Sequence, residues 1–83
     1  MIHDSLILQL EQQILDAETA NRSHREYITR AFAAQEVLKI GSDQYNKISQ
    51  KVHSVFREIE DNHLIIARLY RKLEKLESKN ANN

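Results

Sequence analysis

The sequence predicts an all-α protein of one domain, a two-helix antiparallel hairpin, and three observations carry that prediction. Proline is absent, and the one glycine, Gly41, lies at the midpoint of 83 residues. Only that stretch and the chain ends therefore interrupt a helix. Apolar residues on either side recur in alternating steps of three and four, the seam of helices that pack along their length. Folding the chain at Gly41 brings the two seams into coincidence, with Leu38 opposite Tyr45, Ala31 opposite Val52, Ile28 opposite Val55, Ile14 opposite Leu69 and Leu10 opposite Leu73.

The first helix is expected over about residues 5–40, with Asp4 or Ser5 able to cap it. Its seam is Ile7, Leu10, Ile14, Ala17, Asn21, His24, Ile28, Ala31, Gln35 and Leu38, small or polar in the middle. The turn falls at Gly41-Asp43, where glycine suits the left-handed position just after a helix end. Ser42 or Asp43 can cap the second helix, expected over about residues 43–77. Its seam is Ile48, Val52, Val55, Ile59, Asn62, Ile66, Leu69, Leu73 and Leu76. Residues 1–77 thus form a single helical hairpin domain, and the polar end, residues 78–83, is expected to be a disordered tail. A connection this short makes the helices antiparallel neighbours.

Asn21 falls opposite Asn62 in this pairing. Two facing amides lower stability but favour the one alignment in which they bond to each other; alternatively both face water near a loose midsection. "DAETANRSHRE", residues 16–26, has only alanines for apolar residues, so packing there is thin or admits the close approach of another helix.

Two helices cannot surround a core, and large apolar residues remain on both sides of the seam. Leu8, Leu15, Phe32, Phe56, His63, Ala67 and Tyr70 line up on one flank, and Leu6, Ala20, Tyr27, Ala34 and Ile65 on the other. Leu64 points nearly opposite the seam. Apolar area beyond what one facing helix covers marks an interaction surface, as against ordinary scatter shielded by long Arg and Lys stems. The candidate partner-binding residues are Leu8, Leu15, Phe32, Phe56, His63, Leu64 and Tyr70. The flank with Phe56, His63 and Tyr70 is favoured, because aromatics offer large area for little entropy loss.

Catalytic patterns are lacking: there is no glycine-rich phosphate loop, nucleophile elbow or isolated carboxylate pair. His3, His24, His53 and His63 show no metal-ligand spacing, and cysteine is absent, which excludes disulfides and thiolate zinc sites. No cofactor is expected. Glu18 lies near His63 across the hairpin, which would raise the His63 pKa if that contact forms.

Twelve basic residues balance twelve acidic ones, removing the long-range attraction for phosphate backbones. Arg68, Lys72, Lys75 and Lys79 form a basic stripe near Tyr70, of the kind dimeric helical hairpins use on RNA. Cations near a helix C-terminus are favoured by its dipole anyway, and Lys72 and Lys79 can meet Gln13, Glu11 and Asp4 across the hairpin. No apolar run approaches the roughly 20 residues that span a bilayer. No basic n-region or cleavage site marks residues 1–15, so a soluble, cytoplasmic protein is expected.

The opening "LILQLEQQI", the turn "GSDQYNKI" and the later "IIARLYRKL" resemble the small PscE/YscE-type proteins of bacterial type III secretion systems, the group that includes SsaE and EscE relatives. The family turn pairs an Asp with a following Gln-Tyr, here Asp43, Gln44 and Tyr45. An aliphatic pair then precedes an aromatic and a basic residue, here Ile65, Ile66, Tyr70 and Arg71. The resemblance covers Leu6 to Leu73. It implies a non-catalytic cytoplasmic co-chaperone that pairs with a helical-repeat chaperone and keeps a needle or translocator subunit soluble before export. The alternative from the residues alone is a homodimeric four-helix bundle acting as a structural adaptor, with an RNA-binding hairpin dimer behind it.

Overall fold

Two helices, α1 (Ile2–Glu36) and α2 (Asp43–Asn82), lie antiparallel along their whole length in a computed structural model that describes residues 2–82, with side chains for residues 4–79. The hairpin measures 63 × 14 × 13 Å, so it is a single layer two helices wide.

The seam is the one that the heptad pattern predicts. Among the described residues, every buried or half-buried side chain within the two helices lies on it, with Tyr45 extending it at the start of α2, apart from Ala20, Tyr27 and Ser49 beside it. The buried apolar residues form two clusters. Near the turn, Ile28, Ala31, Val52, Val55 and Ile59 pack together with Tyr27 and Ile48 against them. Toward the open end, Ile14, Leu69 and Leu73 pack with Ile7, Leu10 and Ile66.

Between the clusters sits an amide pair. Asn62 donates through Nδ2 to Asn21 Oδ1 at 3.0 Å, and Asn21 Nδ2 points to the Ile59 carbonyl at 3.5 Å. Asn21 is 1% exposed, the most deeply buried side chain in the molecule's core. Of the two readings of these asparagines, facing amides rather than water-facing ones is correct. Between Ile14 and Ile28 nothing else on α1 is buried, in keeping with thin packing along residues 16–26.

The turn differs from expectation. α1 ends at Glu36, not near residue 40, and the Leu38 N–H donates to the Gln35 carbonyl (3.1 Å) to tighten its last turn. Lys39 to Ser42 then form a β-turn closed by the Ser42 N–H on the Lys39 carbonyl at 3.0 Å. Gly41 has φ +87°, and no other described residue has positive φ, which makes this a type II turn with glycine at its third position. Gly41 is therefore a turn residue well past the helix end, not the helix's own cap. Ser42 caps α2, its Oγ accepting from the Tyr45 N–H at 3.3 Å while its carbonyl takes the Asn46 N–H at 2.9 Å. Gln35 completes the closure: its Nε2 donates to the Tyr45 carbonyl (3.0 Å) and to Ser49 Oγ (2.7 Å). That side chain ties the last turn of α1 to the first two turns of α2.

A Cβ built on Gly41 meets nothing within 4 Å, so Gly41→Ala makes no clash and its cost is the backbone strain of an L-residue at φ +87°. We expect it to cost about 1–2 kcal/mol, the left-handed penalty for an L-residue, in chemical denaturation. A cost near zero would mean that the type II turn is not held in solution.

Both outer ends are also longer than expected. α1 begins at Ile2, so Asp4 and Ser5 lie inside its first turn, where the Asp4 charge suits the helix dipole rather than serving as a cap. α2 continues through residues 78–82 instead of ending in a disordered tail at 77. Nothing there breaks a helix, Ser and Asn cost only tenths of a kcal/mol each, and Lys79 complements the last turn. Residue 83 lies outside the described residues.

Candidate interaction surface

Because the layer is two helices wide, each flank of the seam is one broad side of the molecule. Antiparallel heptads place α1 and α2 residues of one kind together on each side. On the aromatic flank, Phe32 and Phe56 line one cleft with His53, over Gln35, Ser49 and Val52. Farther along, Glu18, Arg22, Arg25 and His63 line a second, polar cleft above Asn21 and Ile66. Tyr70 reaches across to α1 there, its hydroxyl donating to the Glu18 carboxylate at 3.2 Å. Leu8 and Leu15 follow, exposed, toward the open end.

Of the residues singled out from sequence, Phe32, Phe56, His63 and Tyr70 fall on this flank together with Leu8 and Leu15, and all are exposed. Leu64 is exposed too, but it lies next to His63 on the far side of α2 from the seam and joins neither cleft. The expected Glu18–His63 contact does not form. Both line the same cleft, but the longer reach of the Tyr70 phenol claims the carboxylate.

That bond, with the neighbouring Glu18 charge and slight desolvation, raises the Tyr70 pKa above 10. The stabilisation it brings is fully present below the ordinary tyrosine value and is lost as pH rises through the raised one. Titration of Tyr70 followed by NMR should find it ionising above the ordinary tyrosine value, and Glu18→Gln should bring it back toward that value. An unchanged titration in Glu18→Gln would remove the bond.

The opposite flank is lysine-rich. Lys51 Nζ sits 5.6 Å from the Tyr27 ring centroid, a cation–π contact. His24 Nε2 lies 3.2 Å from the Glu58 carboxylate. At the open end, Leu6, Leu10 and Leu76 floor a groove of about 350 Å³ whose rims are Gln9, Gln13, Lys72, Lys75 and Lys79. Gln13 does share this groove with Lys72 and Lys79, but Glu11 does not, and no ion pair joins those lysines to Glu11 among the described residues.

One apolar feature has no counterpart in the sequence reading. Val37 and Ile40 are 86% and 81% exposed at the tip, beside a cleft lined by Phe32, Leu38, Ile40 and Tyr45. Treating residues 37–40 as helix hid them; Ile40-Gly41 as the central pair of a type II turn was the signal that pointed to them.

Among the described residues no three His, Cys, Asp or Glu side chains gather as metal ligands, and no helix is long and apolar enough to cross a membrane. Comparison with protein-family models, curated proteins and solved structures finds no match to this chain. The reading of function therefore rests on the two flanks.

Proposed function

We propose that this chain is a non-catalytic binding protein that shields a partner's apolar surface along its aromatic flank. In its specific form, drawn from the sequence resemblance, it is a co-chaperone of a bacterial type III secretion system, working in the cytoplasm. It pairs with a helical-repeat chaperone, and the two keep a needle or translocator subunit soluble until export. The observation that carries the reading is the row of half-exposed Leu15, Phe32, Phe56 and Tyr70 along one side of a molecule only two helices thick. Each such side chain contributes roughly 25 cal/mol for every Å² it buries against a partner, before the costs of association.

The test is affinity capture of the tagged chain from cells that carry it, with the intact complex weighed by native mass spectrometry. A stoichiometric complex with a helical-repeat protein, loaded with an export substrate, is the expected result. Phe56→Ala and Tyr70→Ala should each weaken that complex by roughly 5–30-fold, the range of interface anchors, with helicity unchanged. Recovery of the chain with copies of itself alone would overturn the reading. So would loss of helicity in both variants, which would make Phe56 and Tyr70 parts of the fold instead of the contact.

A further inference from the structure

The charges of the two flanks are opposite in sign at the open end and near the turn. At the open end the lysine flank presents Lys72, Lys75 and Lys79 around its apolar groove. At the same level the aromatic flank presents Glu11, Glu74 and Glu77. Glu11 is one heptad before Glu18, Glu77 one heptad after Tyr70, and Glu74 three heptads after His53, so all three share the side that holds the polar and aromatic clefts. None of these six groups has an ion-pair partner among the described residues. In the middle the lysine flank turns acidic, with Glu58 and Asp61, while the aromatic flank balances Arg22 and Arg25 against Glu18 and Glu60. Near the turn the lysine flank is basic again, with Arg30, Lys47 and Lys51, and the aromatic flank carries Glu36.

We propose that the chain associates with copies of itself face to face, the aromatic flank of one copy on the lysine flank of the next. Like flanks cannot pair in this way. Two lysine flanks set lysines against lysines at the open end if the copies run the same way, and lysines against Arg30 and Lys47 if they run opposite ways. Two aromatic flanks likewise oppose glutamates to glutamates. Only unlike flanks oppose signs at both ends, and they do so in either direction. The apolar complement is also present: Leu8 and Leu15 stand among the glutamates, and the groove of Leu6, Leu10 and Leu76 lies among the lysines. Like-charge juxtaposition suppresses the wrong pairing while opposite charges fix the right one. An interface between unlike faces does not close at two copies; it leads to a ring or to an open stack.

This inference goes beyond the capture of a partner, and a partner bound on the aromatic flank would end the stack. Sedimentation velocity of the full chain, across concentration and salt, is the test. The expected result is a mass that grows past the dimer with concentration and falls as salt screens the blocks. Lys72→Glu/Lys75→Glu/Lys79→Glu and Glu11→Lys/Glu74→Lys/Glu77→Lys should each associate roughly tenfold or more weakly than the natural chain, while an equimolar mixture of the two associates again. Neutral counterparts, glutamine at each of the same positions, control for folding: they should keep full helicity and weaken association with no recovery on mixing. A natural chain that stays monomeric, a dimer that stops at two, or a mixture that does not recover would each overturn the proposal. The lysine-reversed variant keeps its aromatic flank, so its capture of a foreign partner reports on the proposed function separately.

Discussion

Leu69→Ala should take away most of the stability of the isolated chain. Leu69 is buried between Ile14 and Leu73 in the open-end cluster, which has only Ile7, Leu10 and Ile66 beside it. Removing a buried leucine costs about 2–5 kcal/mol, from lost transfer energy and the cavity left behind. In a layer open to water on both sides the cavity partly refills, which places the expected cost toward the lower half of that range. A single core in a chain this small supplies only about 3–5 kcal/mol in total. Urea denaturation followed by circular dichroism would measure the loss, with exposed Leu64→Ala as the contrast, expected to stay within about 0.5 kcal/mol. A bound partner should restore helicity to Leu69→Ala by mass action, since it stabilises only the folded form. A Leu69→Ala chain as stable as the natural one would mean that the open end is not closed in solution.

The second large effect lies at the amide pair. Asn62→Leu removes the donor that satisfies Asn21 Oδ1, and Asn21 is too deeply buried to find water instead. The expected cost is about 1–3 kcal/mol, the penalty for an unsatisfied buried polar group. Asn21→Leu/Asn62→Leu replaces both amides with apolar groups and joins the two clusters into one seam. That double variant should be at least as stable as the natural chain, because a matched apolar replacement leaves no orphan. The double-mutant cycle should therefore give a coupling of about 1–3 kcal/mol. Losses that simply add would show that the amides do not act as a pair. Removing the pair also removes the polar contact that favours one alignment at the middle of the seam, so the double variant should form exchanged dimers more readily, two chains sharing their helices.

The seam was legible because heptad spacing reports directly which side of a long helix is covered. Asn21 opposite Asn62 followed from the same spacing, and their bond at 3.0 Å bears it out. The turn was legible only in part. Leu38 continues the apolar rhythm past Glu36, so periodicity alone carried the helix on to Gly41. What ends it earlier is the geometry of chain reversal, in which a type II turn uses Ile40 and Gly41 as its centre. Gln35 shows the same limit: its place in the seam was clear, but its two bonds to the first turns of α2 depend on where α1 stops. Among the surface residues, exposure was readable because it is the complement of the seam. Which carboxylate meets which donor was not, since Glu18 chooses Tyr70 over His63 by side-chain reach rather than by register. The opposite signs of the two flanks were present in the sequence all along, but they become a pattern only when residues from both helices are placed on one side.

The antiparallel course of α1 and α2 has a mechanical consequence. Both helices have their outer ends at the end opposite the Lys39–Ser42 turn, so a pull that separates them loads the rungs one at a time. Ile7 and Leu76 give first, then Leu10 and Leu73, then Ile14 and Leu69, and only then does tension reach the Asn21–Asn62 bond. A pull along the long axis, from the turn to either helix end, instead runs down the backbone hydrogen bonds of one helix and does not open the rungs in sequence. The hairpin is thus a stiff strut lengthwise and a zipper when its ends are drawn apart. Its resistance to force is set by direction, through the rate of opening rather than the overall free energy of folding.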